Sequence, residues 1–214
     1  MRKVPQPSSR EDDAPPREGV EVAESASAEV EVGARLCRAV ASGDGRAFAE
    51  LVERFQHRIY AFCRRMIGDA QEAEDLAQDV FLTVYRNAGE FRGDSSFSTW
   101  LYRIARNQTL NRIKYLDRRG RNIRSSLDEV GEDRLGSERR SPLELVEGQQ
   151  TATLVQEAIA RLPEQQRTVL VLRDLEGLSY EEIVDITGLA QGTVKSRIHR
   201  ARSALADRLA RTLE

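Results

Sequence analysis

Apolar residues recur at helical spacing along most of this chain, and nowhere do they alternate in the rhythm of a strand. The stretch "ARLCRAVASGDGRAFAELVERFQHRIYAFCRRMIGD" reads as two helices. Gly43 and Gly45 break the first, Asp44 can cap the second, and Phe48, Leu51, Val52, Phe55, Ile59 and Phe62 form its apolar stripe. Gly68 and Asp69 punctuate. "AQEAEDLAQDVFLTVYRNA" then predicts a third helix, with Leu76, Val80 and Val84 inward, Ala77 and Phe81 beside them, and Glu74, Asp75, Gln78, Asp79 and Thr83 on the other face. The Gly, Asp and Ser content of "GEFRGDSSF" marks a loop. A long basic helix follows in "STWLYRIARNQTLNRIKYLDRR". Beyond it the period lapses over residues 120–150, which predicts a flexible linker. Roughly 30 residues extend to about 100 Å, or about three turns of DNA. Helical spacing resumes in "LVQEAIARL" and "PEQQRTVLVLRDLEG", where Pro163 opens a helix and Gly177 ends it.

The expected fold is therefore all-α, with two small helical domains over 34–119 and 151–214. Apart from Met1, residues 1–33 hold Val as their only large apolar residue, and acids outnumber bases there. Such a segment buries too little surface to offset its ordering entropy, so no fixed structure is expected for it.

Charge sharpens the picture at the C-terminal end. In "LSYEEIVDITGLAQGTVKSRIHRARSAL" carboxylates crowd the first half and cations the second. Ser179 followed by Glu182 fits a capping box, Gly188 supplies a tight turn, and a second helix runs from Gln191 to Leu209. This is the pattern of a helix-turn-helix, whose second helix enters the major groove. The basic face would meet phosphates and base edges, while the acidic helix faces elsewhere.

The segment "LPEQQRTVLVLRDLEGLSYEEIVDITGLAQGTVKSRIHRARSAL" resembles region 4 of a bacterial RNA polymerase sigma factor, and "EAEDLAQDVFLTVYRNAGEFRGDSSFSTWLYRIARNQTLN" resembles region 2 of the same sigma-70 family. The lack of a region 3 domain between them is similar to the extracytoplasmic-function (ECF) group. "GTVKSRIHRAR" and "FSTWLYRIARN" are the most specific parts.

The resemblance implies a transcription initiation factor that directs core RNA polymerase to promoters. Region 4 would read the −35 duplex through Thr193, Lys195, Ser196, Arg197 and Arg200, with Arg202 and His199 nearby. Region 2 would hold the melted −10 strand and a flipped base. Its implied residues are Phe91, Ser95, Ser96, Phe97, Trp100, Arg103, Ile104, Arg106 and Asn107, with Trp100 left open between core packing and stacking. Asp75, Gln78, Asp79 and Leu82 match the face that docks on core polymerase. The family often has Pro just after the turn, where this chain has Ala190, which leaves sequence preference open. An anti-sigma factor is the implied regulator, promoter DNA the implied ligand, and no cofactor is implied.

Composition agrees and excludes alternatives. The chain of 214 residues carries a formal net charge of −2, with 32% charged and 6% aromatic residues. A lone DNA-binding domain announces itself by excess Lys and Arg; here the DNA surfaces are local, which predicts weak DNA affinity outside the polymerase. The 2 histidines, His57 and His199, and the 2 cysteines, Cys37 and Cys63, stand apart, so no metal site or catalytic triad is expected and the chain is read as a non-enzyme. No apolar run approaches a membrane span and the N-terminus lacks an apolar signal core, which predicts a cytoplasmic protein without membrane insertion. An ordinary dimeric helix-turn-helix regulator, or a recombinase with a helix-turn-helix tail, fits the "DLAQDVF" and "FSTWLYRIARN" blocks less well.

Overall fold

The computed structural model describes residues 31–127 and 147–213. The acidic extension over 1–30 and the centre of the linker, 128–146, lie outside the described residues.

The chain is helical over residues 31–41 (α1). Gly33, expected to close an unstructured extension, sits inside this helix. A Cβ there would meet Phe97 Cδ1 at 2.9 Å, so the glycine is what lets α1 lie so close to the aromatic ring. α2, Gly45–Ile67, starts on Asp44, whose carboxylate accepts from the Arg46 and Ala47 amides at 2.8 and 3.2 Å. It stops at Gly68, whose φ of 90° turns the chain out of the helix. α3, Ala70–Asn87, is capped by Asp69 and runs into a short 3-10 turn, Ala88–Glu90. α4 spans Phe97–Leu127, and therefore reaches into the expected linker.

Leu51, Phe55, Ile59, Phe62 and Met66 of α2 meet Leu76, Val80 and Val84 of α3 and Phe97, Leu101 and Tyr102 of α4, all buried. Edge-to-face pairs fix the crossing: Phe55 on Phe97 at 5.1 Å and Phe62 on Tyr102 at 5.6 Å between centroids. Cys37 and Cys63 are free and buried in the same core, as expected.

The second group holds α5 (Glu147–Ala160), α6 (Glu164–Leu170), α7 (Tyr180–Thr187) and α8 (Gln191–Leu213). The helix opened by Pro163 does not stay α-helical to Gly177. It widens into a π turn over Val171–Leu175, where the Glu176 amide reaches back to the Val171 carbonyl at 3.0 Å. Gly177, at φ 74°, ends it.

The two groups pack on each other. α5 and α6 lie against α2, and α7 lies along α4. Ile159, Leu162, Val169 and Ile183 are buried in one continuous cluster with the residues of α1–α4. The acidic helix expected to face elsewhere thus has a partner inside its own chain. Among the described residues no helix is long and apolar enough to cross a membrane.

Candidate nucleic-acid interface

The helix-turn-helix is built as its sequence predicts. The Ser179 hydroxyl accepts from the Glu182 amide at 3.1 Å, and the Glu182 carboxylate accepts from the Ser179 amide at 2.9 Å. Gly188, at φ 70° and ψ 14°, occupies the left-handed region and closes α7. α8 then starts without a proline: the Ala190 carbonyl accepts from the amides of Thr193 and Val194 at 2.8 and 3.0 Å. Val194, Ile198 and Ala201 face inward, which leaves Lys195, Ser196, His199 and Arg200 exposed and Thr193 and Arg197 half-buried. The Lys195 ammonium lies 5.4 Å from the centre of the Tyr180 ring, so α7 steadies the cation at the head of the recognition helix. Arg202, by contrast, is committed to Asp174: its Nε donates to Oδ2 at 2.9 Å and its Nη2 to Oδ1 at 2.5 Å, which holds the guanidinium above its ordinary pKa.

The loop between the 3-10 turn and α4 is held from below. The Ser96 hydroxyl accepts from the Thr99 amide at 3.1 Å and pairs with the Thr99 hydroxyl at 2.8 Å, capping α4. Phe91 is half-buried and tilts against Trp100 at 5.5 Å. Trp100 is half-buried too, also 6.0 Å from Phe97, so one side of it packs on the core while the rest of the ring is accessible. Ser95 and Ile104 are half-buried, and Arg103 and Asn107 are exposed.

Phe97 is corrected. It is fully buried between α1, Phe55 and Phe91, and cannot touch a strand without unpacking the core. Its part is to support Phe91 and Trp100 from beneath. Arg106 is half-buried: Nη1 donates to Asn107 Oδ1 at 3.1 Å, while Nε is buried without a hydrogen-bond partner. Burial holds its pKa below the ordinary value, with Glu164 opposing and Arg197 adding to that shift. The side chains assigned to different promoter elements, Arg106 and Arg197, are thus close enough to feel each other. Two residues missed by sequence reasoning, Arg35 and Arg38 of α1, line an open cleft with Phe91, Ser95 and Ser96. Their helix lies outside the motif blocks, and only the packing of Gly33 on Phe97 brings it there.

On α3, Asp75, Gln78 and Asp79 are exposed, and so are Leu82 (48%) and Tyr85 (52%). Leu82 forms the rim of a groove between α2 and α3 lined by Phe48, Val52, Tyr60, Gln78 and Phe81. Tyr60 and Tyr85 escaped the sequence reading because they lie off the apolar stripes that define the inner faces of α2 and α3. Among the described residues no group of His, Cys, Asp and Glu could hold a metal ion.

The seam between the two groups is polar and ordered. Glu176, whose side chain is 4% exposed, accepts from Arg65 Nη1 at 2.9 Å and from the Tyr102 hydroxyl, with Arg58 Nε 4.0 Å away. Burial, reinforced by this carboxylate, pushes the Tyr102 phenol well above its usual pKa, so it is a fixed donor. The Thr99 hydroxyl donates to Glu182 at 3.3 Å, Gln156 donates to the Arg64 carbonyl at 3.3 Å, and Arg167 donates to the Met66 carbonyl.

Against known proteins, the profile of Sigma-70 region 2 matches residues 51–119 and that of Sigma-70, region 4 matches residues 152–205. The RNA polymerase sigma-H factor of Pseudomonas aeruginosa is 45% identical over 178 residues, covering 80% of this chain and 90% of the relative. The chain belongs to the ECF group of the sigma-70 family. The ECF sigma factor SigW of Bacillus subtilis is similar as well, 39% identical over 178 residues, covering 79% of this chain and 92% of that one. Among solved structures, CnrH in complex with the cytosolic domain of CnrY matches with a TM-score of 0.61 at 26% identity, covering 84% of this chain and 97% of that chain. The sigma factor RpoE of Bartonella quintana, solved with the anti-sigma factor NepR, matches with a TM-score of 0.59 at 28% identity, covering 76% and 96%. As a sigma factor of this group, the chain is a transcription initiation factor.

Proposed function

We propose that this sigma factor reads promoters with two separate surfaces and acts by binding, with no catalysis of its own. Lys195, Ser196, Arg197 and Arg200, with Thr193 at the helix head, contact the −35 duplex in the major groove. Phe91, Ser95, Ser96, Trp100, Arg103, Ile104, Arg106 and Asn107 hold the melted −10 strand, where Asn107 offers a donor and an acceptor to a base edge. The strip of Asp75, Gln78, Asp79 and Leu82 on α3 docks on a basic, amphipathic element of core polymerase. The domain limits that go with this reading are 34–119 for region 2, 120–150 for the linker and 151–214 for region 4.

The observation that carries the reading is the exposure of cations on the outer face of α8, set on a capped helix-turn-helix, beside a half-buried aromatic pair at the head of α4. A factor that acts on chromosomal promoters would act in the cytoplasm. Structural relatives solved with an anti-sigma factor support control of this chain by such a partner. Carboxylates at Asp128, Glu129, Glu132 and Asp133 of the linker resemble nucleic acid electrostatically, and their deletion is expected to alter initiation or RNA escape more than promoter affinity.

The test is reconstitution with bacterial core polymerase followed by sequencing of transcripts started on genomic DNA. A shared pair of upstream elements is the expected result. A polypeptide that never co-migrates with core, with any inhibitor removed, overturns the reading.

A further inference from the structure

The cleft beside the head of α4 has two walls of different chemistry. One is α1. Arg35 and Arg38 stand three residues apart on it, so they share one face of the helix, and both are exposed. The other is the loop before α4, with Phe91, Gly93, Asp94, Ser95 and Ser96. The space between them is about 720 Å³, inside the roughly 300–1,000 Å³ range of ligand clefts. Its hydrogen-bonding capacity is largely unused. Among the described residues neither guanidinium is in an ion pair, although Glu31 and Asp94 lie on the same rim. The Ser95 hydroxyl reaches only the Ser96 carbonyl, at a long 3.5 Å, and the amides of Gly93, Asp94 and Ser95 make no backbone hydrogen bond. Two cations across from hydroxyl and amide donors suit an anion, and the half-buried Phe91 ring suits a base. A nucleotide supplies both. Glu31 and Asp94 balance the two arginines, so the pull of the cleft is short-ranged and acts by direct contact.

We propose that α1 is a second DNA-contacting wall of the −10 unit, on which Arg35 and Arg38 hold the phosphate backbone of the promoter strand next to the nucleotide seated at Phe91, Ser95 and Ser96. This rests on the reading of that loop and α4 as the strand-binding element. The strand then passes through the cleft and is gripped from both sides, with α1 contributing from outside the motif blocks. The contact is to phosphate, so it adds affinity without base preference. Gly33 acquires a purpose as well: by letting α1 sit on Phe97 it sets the width of the cleft. Phe97 supports both walls, since its ring meets α1 at Gly33 and packs edge-on against Phe91.

The test uses holoenzyme reconstituted with bacterial core polymerase and a short fluorescent single strand of random sequence, titrated across a range of salt with binding by core alone subtracted. Arg35→Ala and Arg38→Ala change exposed side chains, and Arg46→Ala, an exposed cation at the start of α2 outside the cleft, is the charge control. Each of the first two is expected to weaken strand binding about 3- to 10-fold and to lower the salt slope by about 0.7, the double variant by about 1.4. Arg38→Lys is expected to keep the slope, and Arg46→Ala to match the parent. Arg103→Ala and Asn107→Ala on α4 report on the reading beneath. If those two weaken binding while Arg35→Ala and Arg38→Ala do no more than Arg46→Ala, the cleft is overturned and the reading of α4 stands. If all of them bind like the parent, both are overturned. Loss of co-migration with core in the α1 variants, with strand binding by the saturated holoenzyme unchanged, assigns α1 to a protein contact and overturns the inference.

Discussion

Lys195 and Arg200 stand exposed on the outer face of α8, and Lys195 is steadied over Tyr180. Replacing either by Ala in holoenzyme is expected to weaken promoter binding. A phosphate contact would also lower the salt slope by about 1, whereas a base contact would cost about 1–3 kcal/mol at one position of the −35 element and relax specificity there. Titrating salt against promoter variants separates the two. The cysteines make a second expectation. Burial pushes Cys37 up to about 11 and Cys63 up to about 12 from an ordinary value near 9. At pH 8 the thiolate of each is depleted by about a hundredfold or more, since every unit is a factor of ten. Alkylation by iodoacetamide should be slow in the native chain and fast in denaturant; rapid labelling of folded protein would contradict this. Because the folded state favours the protonated thiol, this contribution to stability is full below pH 9. It is lost as pH rises through about 11 and 12. At this scale the sequence separated cations from core well, because a basic helix face has a clear period. It failed on Phe97, since a loop motif names a neighbourhood and does not say which ring points down.

Each helix boundary that carries function rests on a local device, and most were legible. The capping box at Ser179, the Asp44 cap and the left-handed turn at Gly188 are short-range chemistry written within a few residues. Ser179→Ala is expected to cost about 1 kcal/mol, and Gly188→Ala about 1–2 kcal/mol because a Cβ is disfavoured at positive φ. Denaturant midpoints of the full chain check both. Space is not the issue at Gly188, where an added Cβ meets nothing within 4 Å. Gly33 is the opposite case. There the backbone is helical and the obstacle is Phe97, so Gly33→Ala should push α1 off the core and with it Arg35 and Arg38 away from the loop of Ser95 and Ser96. The sequence could not disclose that role, because a glycine beside an acidic, Pro-rich stretch carries the signature of a breaker. The π turn over Val171–Leu175 was hidden for a similar reason: the apolar period continues through it, and only the Val171 carbonyl with the Glu176 amide reveals the extra residue.

At the scale of the whole molecule, a net charge of −2 gives the chain no long-range pull on DNA, and the structure adds a second reason for restraint. Arg106 and Arg197, assigned to elements that lie apart on a promoter, act on each other across the seam. None of this was visible in the sequence, where the acids of α7 were expected only to face away from the DNA; long-range pairs such as Arg65 with Glu176 leave no periodic trace. The expected consequence is a large gap between isolated and assembled affinity. On a promoter fragment at physiological salt the free chain should bind no better than the non-specific range, with a Kd of about 10⁻⁴–10⁻⁶ M. Holoenzyme should reach about 10⁻⁸ M or tighter. On the proposed reading, core polymerase would engage α3 and present α8 and α4 as linked sites at high effective concentration. Gel-shift titrations of the two species on the same fragment measure the gap, and nanomolar binding by the free chain would contradict it.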